Sequence, residues 1–578
     1  MFRDCRWRPR TDGCKSRVST AGVGARTLIV GLDGATWDLA DRFMAEGRMP
    51  HLQKLVREGA RAPLNSTTPP MTLPSWSSML TGCNPGRHGI FDFVRKVPGK
   101  WALEFTNATH RAVPTIHRVL SDRGARVASI AVPTTWPPEA LNGVVVSGFD
   151  GPVSTGIDGS FCYPRSVYAE LKNRFGGMKF ADFQESRIDD GWHDDALDAL
   201  LREVPRKQQI GTWLMSQERW DCFMLLFGES DTVSHHFWMF HDEHSPRFQG
   251  DASPRLRDAI GTIYSRLDEA LGALIDKAGA DHVCVVSDHG FGGAGVHALY
   301  LNRYLEQAGW LQYRREVHVD GMGTGSGIAS RIREAAATRL PADLQGKVYR
   351  AVPNSVLGEI ESRSRYGDLD LQKTRALSDE MNYAATLRLN LPEDDDHGRV
   401  QAVEELRALL FAWEVDGHKV VQDVFTRESL YQGDCVHDSP ELIIELNLRD
   451  NYSYTLLPSA RVAPGTTWRT FTPDEYAGGK GLGMNGTHRQ HGVLALWGSG
   501  IQPGANIEAG MPDIAPTLLH LMGEGIPAHM DGRVLTDAMV DGQTPVETEA
   551  QPLDRRPSSA STDEAEALRK RLERLGYL

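Results

Sequence analysis

Seven short apolar runs of strand length recur along the chain, and helical patterns lie between many of them. The runs are TLIVGL (27–32), VASIAV (127–132), GVVVSG (143–148), CFMLLF (222–227), HVCVVS (282–287), ELIIEL (441–446) and GVLALWG (492–498). Helical spacing appears at 37–59, 195–219, 255–277 and 400–413. Continuous apolar strands alternating with helices specify an α/β fold: a mostly parallel central sheet flanked by helices on both faces. In such sheets ligands bind beyond the carboxyl ends of the strands. Asp33, Asp231 and Asp288 each fall just past the end of one of these runs.

At 578 residues the chain is long enough for one large α/β domain with insertions, or for more than one domain. Its formal net charge of −13 argues against a nucleic-acid polymer as partner, because such binding needs a basic surface. A small phosphate-containing substrate stays compatible, since a bound metal can dominate the local field. The seven cysteines are scattered without a CxxC pair, so they form neither a disulfide framework nor a thiolate metal site. No apolar run approaches the ~20 residues of a transmembrane helix, and no apolar segment of a signal peptide follows the basic first residues. A cytoplasmic protein is the resulting expectation, and a homo-oligomer stays open.

Residues 1–25 read as a disordered basic tail. The alternating pattern covers 26–317 and 381–540. Between them, 318–380 opens with the linker GMGTGSG (321–327) and continues as an amphipathic helix over 328–350, which predicts a helical insertion or cap. Residues 541–578 read as a linker followed by a C-terminal helix, with Ser561 and Glu564 as its capping box.

The stretch PPMTLPSWSSMLTGCNPGRHGIFDF (69–93) holds the nucleophile candidate. Pro69-Pro70 keeps the backbone extended before Met71. Pro74 suits a first helical position, so the spacing predicts a short helix over 75–81, closed by Gly82. Thr72 then stands at a helix N-terminus, where anions bind readily. Taken alone, it reads as a cap of that helix.

Four distant stretches change that reading. Asp33 ends its strand. In FGESDTVSHHFW (227–238), Asp231 and His235 are four apart, on one face of a helix. VVSDHGFGG (285–293) sets Asp288 and His289 side by side at a strand end, and NGTHRQHG (485–492) offers His488. Each stretch has an ordinary explanation as a turn, cap or loop. Together three Asp and three His suit zinc or a similar divalent ion, and with a hydroxyl they suffice for a metal pair.

The ordered set GLDG (31–34), TLP (72–74) with TGCNPGRHGI (81–90), DxxxH (231–235), SDHG (287–290) and GTH (486–488) resembles the alkaline phosphatase superfamily. Within it, the set is most similar to the type I phosphodiesterase/nucleotide pyrophosphatase family. DIAPTLLHLMG (513–523) and MDGRV (530–534) extend the likeness over roughly 26–535. The resemblance implies a phosphoric ester hydrolase with two divalent metal ions, Zn2+ or alternatively Mn2+. It implies Thr72 as the nucleophile between the ions, Asp33, Asp288 and His289 holding one, and Asp231, His235 and His488 holding the other. A phosphothreonine intermediate would follow.

One departure stands out. The nucleotide pyrophosphatases carry an Asn shortly after the nucleophile that bonds a phosphate oxygen; here Ser75 and Trp76 occupy that neighbourhood. Ser75 and backbone N–H groups are the expected substitutes. A sulfatase is excluded by Thr72 and by Trp76 in place of the expected Arg. A phosphomonoesterase or phosphotransferase on the same scaffold is the alternative, and a non-catalytic binding protein a more distant one.

Overall fold

A computed structural model of the chain describes residues 23–148, 159–178, 188, 190–314, 362, 365–380, 384–392, 394–460, 462–478, 483–540 and 544–552. The predicted basic tail, the 321–327 linker, the 328–350 helix and the C-terminal helix lie outside or almost wholly outside these residues.

A ten-stranded mixed sheet runs through the centre. Its middle is parallel: Gly24–Leu32 pairs with Arg219–Phe227 on one side and His282–Val286 on the other. Val127–Val132 extends it beyond Arg219–Phe227, followed by Gly143–Ser147. These strands are apolar at nearly every position because both faces are covered. Helices Trp37–Ala45, Pro50–Glu58, Trp192–Gln217, Glu229–His241 and Ala259–Ala278 build the core on one face. Thr72–Thr81, Ile116–Asp122 and Ile514–Leu521 build it on the other. The α/β architecture with helices on both faces matches the sequence expectation.

Several elements differ from it. The helical segment 37–59 divides into two helices, because Gly47 turns through φ +74° and Pro50 starts the second helix at its first residue. Ala60–Asn65 is a strand that periodicity overlooks, since Pro63 and the outward polar residues mask its alternation. His491–Gly498 lies antiparallel between His282–Val286 and Ala60–Asn65, so the sheet is mixed at that edge. Leu442–Leu446 leaves the central sheet altogether. It pairs antiparallel with Ala385–Leu389 and Val421–Thr426 in a separate four-stranded sheet. Helix Asp396–Ala412 packs there through Ala402, Leu406 and Leu410, in a core distinct from the two faces of the central sheet. An apolar run reports burial, not which sheet buries it.

Beyond Val286 the chain passes Asp288 and His289 and enters the strand Gly290–Leu299, which belongs to a second, five-stranded sheet. Gly486–Arg489 pairs antiparallel with its start, in a register that sets His488 opposite Phe291. This pairing brings the late histidine motif to the ends of the central strands. No helix among the described residues is long and apolar enough to cross a membrane.

Candidate active site

Strands His282–Val286, Gly24–Leu32 and Arg219–Phe227 are neighbours in the sheet, so the segments leaving their carboxyl ends meet. Asp33 follows Leu32 directly, with its N–H donating to the Phe227 carbonyl and its own carbonyl accepting from Ser230 Oγ. Asp231 and His235 sit in the first two turns of Glu229–His241. Asp288 Oδ1 accepts from the Gly34 N–H at 3.1 Å, joining two strand ends.

The structure gathers all six predicted Asp and His residues here. His289 Nε2 lies 3.3 Å from Asp288 Oδ2, 3.6 Å from Asp33 Oδ1 and 4.0 Å from Asp231 Oδ1. Asp231 Oδ1 is also 3.3 Å from His235 Nε2 and 3.5 Å from His488 Nε2. Two trios have ligand atoms close enough to hold one ion: Asp231 with His235 and His488, and Asp33 with Asp231 and His289. The first is the trio the resemblance implies. In the second, Asp231 stands where Asp288 was expected, so Asp231 reaches both halves of the cluster.

The tautomers follow from hydrogen-bond partners. His235 Nδ1 lies 2.8 Å from the Gly486 carbonyl, His289 Nδ1 3.0 Å from the Gly290 carbonyl, and His488 Nδ1 2.9 Å from the Pro70 carbonyl. A carbonyl can only accept, so each Nδ1 carries a proton, and in that tautomer the lone pair at Nε2 faces the cluster. Burial lowers the pKa of His289, well below the ordinary range, and that of His488, which keeps both rings neutral. The Nε2 atoms of His235 and His488 are only 3.1 Å apart. Acceptor therefore faces acceptor, and carboxylate oxygens surround them.

The carboxylates are strained electrostatically. Burial and the neighbouring Asp33 charge push the Asp288 carboxyl well above the usual range. Inward-facing lone pairs beside crowded, buried carboxylates are what a cation site requires.

Thr72 lies at the edge of the cluster, 5% exposed, with Oγ1 3.4 Å from His289 Nε2. The helix begins at Thr72 itself and not at 75; Met71 is its N-cap and no side chain caps it. The hydroxyl of Thr72 is thus not spent on capping. Pro74 becomes the third helical residue, where it removes one N–H from the helix N-terminus. Ser75 differs from expectation: it is wholly buried and hydrogen-bonded to Ser66 and Thr67 at 2.8 and 2.9 Å. Ser66 in turn donates to the Asp288 carbonyl. Ser75 therefore braces the nucleophile loop from within.

The neighbouring histidines separate cleanly. His491 is exposed, and His236 packs against Trp192, away from the cluster. His88 is wholly buried, with Nε2 2.9 Å from Ser78 Oγ and Nδ1 accepting from the Ile90 N–H.

Some contributors escape a reading of single motifs. Trp76 donates to Asp33, and Asp531 accepts from Asn84 and Arg87 beyond the nucleophile helix. The MDGRV stretch signalled Asp531 without indicating what it holds. The motif glycines are close-approach positions. A Cβ at Gly290 would lie 2.1 Å from the His491 carbonyl oxygen, and one at Gly486 2.1 Å from that of Ser234.

Among solved structures, human ectonucleotide pyrophosphatase / phosphodiesterase 5 is similar at 13% identity, with 89% of this chain and 100% of that chain covered and a TM-score of 0.45. Phosphonoacetate hydrolase from Sinorhizobium meliloti 1021 is similar at 15% identity, with 85% and 94% covered and a TM-score of 0.49. No curated protein matches the chain. The family model for type I phosphodiesterase / nucleotide pyrophosphatase matches residues 27–411. That match spans well over half of the sequence and takes in Asp33, Thr72, Asp231, His235, Asp288 and His289, so the chain belongs to the type I phosphodiesterase / nucleotide pyrophosphatase family and is a phosphoric ester hydrolase.

Proposed function

We propose that the chain hydrolyses phosphodiester or phosphoanhydride bonds at a two-metal centre, with Thr72 as the nucleophile. The observation that carries this reading is the convergence of three inward-facing Nε2 lone pairs and three carboxylates beside the Thr72 hydroxyl. Asp231, His235 and His488 would hold one divalent ion. Asp33, Asp288 and His289 would hold the other, with Asp231 within reach of both. Nitrogen and oxygen donors without thiolate favour Zn2+, with Mn2+ as the alternative. Three carboxylates and a Thr72 alkoxide carry four negative charges, which two divalent ions balance. When bound, the metals supply Lewis acidity that lowers the hydroxyl pKa and stabilises charge developing at phosphorus.

Thr72 attacks phosphorus and its Oγ1 becomes the bridging oxygen of a phosphothreonine, while the alcohol or phosphate leaving group departs. Water then cleaves the Thr72 phosphoester and regenerates the hydroxyl. The two backbone N–H groups of Thr72 and Leu73 stand at the helix N-terminus, where they favour the phosphoryl charge. We further propose that the segment 318–380 selects the substrate, a small phosphate ester.

Replacing Thr72 by Ala tests the nucleophile. Turnover of bis-p-nitrophenyl phosphate is expected to fall at least about a thousandfold, with metal content and circular dichroism unchanged. Wild-type rates in that variant would refute the assignment. Comparing this diester with p-nitrophenyl phosphate and p-nitrophenyl-TMP separates diesterase from monoesterase chemistry.

A further inference from the structure

Trp76 sits one turn after Thr72 on the same helix and is wholly buried. Its ring packs among Ile29, Met224 and Leu226 in the core beneath the central strands. Gly31 makes room for it: a Cβ there would lie 2.9 Å from Trp76 Cη2. From that seat the indole Nε1–H donates to Asp33 Oδ2 at 3.2 Å. Asp33 Oδ1, the other oxygen, is the one that faces His289 Nε2 at 3.6 Å. The main chain of Asp33 is fixed separately, by the Phe227 carbonyl and by Ser230.

We infer that Trp76 is a positioning residue for the metal centre, whose indole N–H occupies Asp33 Oδ2 and leaves Oδ1 as the oxygen Asp33 offers to an ion. The inference rests on the two-metal reading above. Its physical basis is general: a carboxylate with one oxygen tied to a donor has lost rotation about its last bond and presents a single ligand atom in a fixed direction. Here the donor is carried by the helix whose first residue is Thr72. One rigid element therefore sets both the nucleophile and the rotation of a ligand, and the gap between them is not left to independent side chains. The glycine of GLDG thereby gains a reason: it admits the ring that aims the aspartate two residues later.

Trp76→Phe keeps an aromatic ring over Gly31 and removes the N–H. The probe is Zn2+ alone, titrated into the metal-depleted full chain against a chromophoric chelator. Wild type is expected to take up two ions. In the variant, one dissociation constant is expected to rise about 10- to 100-fold while the other stays within about twofold. Equal constants in variant and wild type overturn the inference and leave the metal reading intact. A wild type that takes up no Zn2+ overturns both. Should Trp76→Phe fail to fold, wild type labelled with 15N at its indole nitrogens decides the question. The Trp76 Nε1–H resonance, assigned by its through-space contacts with Gly31 and Asp33, is expected to shift on Zn2+ addition, and a resonance indifferent to Zn2+ overturns the inference.

Discussion

At Asp231 a single oxygen lies within 4.0 Å of three imidazole nitrogens, which makes this residue the hinge of the cluster. Asp231→Asn keeps the shape and removes the charge. It is expected to weaken both ions, dropping Zn2+ content below one per chain and activity by about a thousandfold or more, measured by metal analysis and diester hydrolysis. His88 offers a different test because it is buried outside the Asp and His cluster. Burial, with the Arg111 charge nearby, lowers its pKa from 6.5 to about 3. Between those values the unfolded chain binds a proton that the folded chain refuses, so the contribution is whole above pH 6.5 and is lost as pH falls toward 3. Its ceiling is about 5 kcal/mol. His88→Gln should flatten the acid side of a plot of urea midpoint against pH; an unchanged slope would show that other buried histidines, such as His117, carry the effect. That these residues gather was legible in sequence, since the Asp and His motifs fall just past strand ends, where an α/β sheet brings its connections together. The role of Ser75 was not, because a serine next to a nucleophile reads as a ligand group until its partners Ser66 and Thr67 are known.

Among the elements, the contact between Glu229–His241 and Gly486–Arg489 matters most, because it joins His235 to His488. It depends on Gly486, which lies against the Ser234 carbonyl and offers its own carbonyl to His235 Nδ1. Gly486→Ala forces helix and strand apart. The expected cost is about 1–3 kcal/mol in chemical denaturation, with a loss of Zn2+ affinity that a surface Gly→Ala change such as Gly523→Ala would not share. Elements with continuous apolar cores were readable in advance, and Cys222 and Cys284 are buried in neighbouring parts of the sheet as small core residues. Ala60–Asn65 was hidden by Pro63 and by polar residues on its outward face. The nucleophile helix starts at Thr72, three residues before the 75 that the spacing predicts, because Pro74 is equally compatible with an interior position in the first turn.

For the whole molecule, the ions proposed here would tie together segments separated by hundreds of residues, from Asp33 to His488. Metal binding to the folded chain alone should then raise its stability, by roughly 2.7 kcal/mol per site at a hundredfold excess over the dissociation constant. Chelation is expected to lower the thermal midpoint and Zn2+ to restore it; a midpoint indifferent to chelator would argue against the centre. The order of motifs made the gathering readable, whereas the antiparallel insertion of His491–Gly498 and the departure of Leu442–Leu446 depended on pairings that no local pattern encodes. The imidazoles add one consequence. Each is oriented by a main-chain oxygen, from Gly486, Gly290 or Pro70, and main-chain oxygens survive every substitution. The aim of the three rings is thus a property of the path of the chain. Side chains around them can change while the aim of the rings is kept, provided that Gly486 and Gly290, where a Cβ would meet main chain, stay glycine and the route of the backbone is preserved.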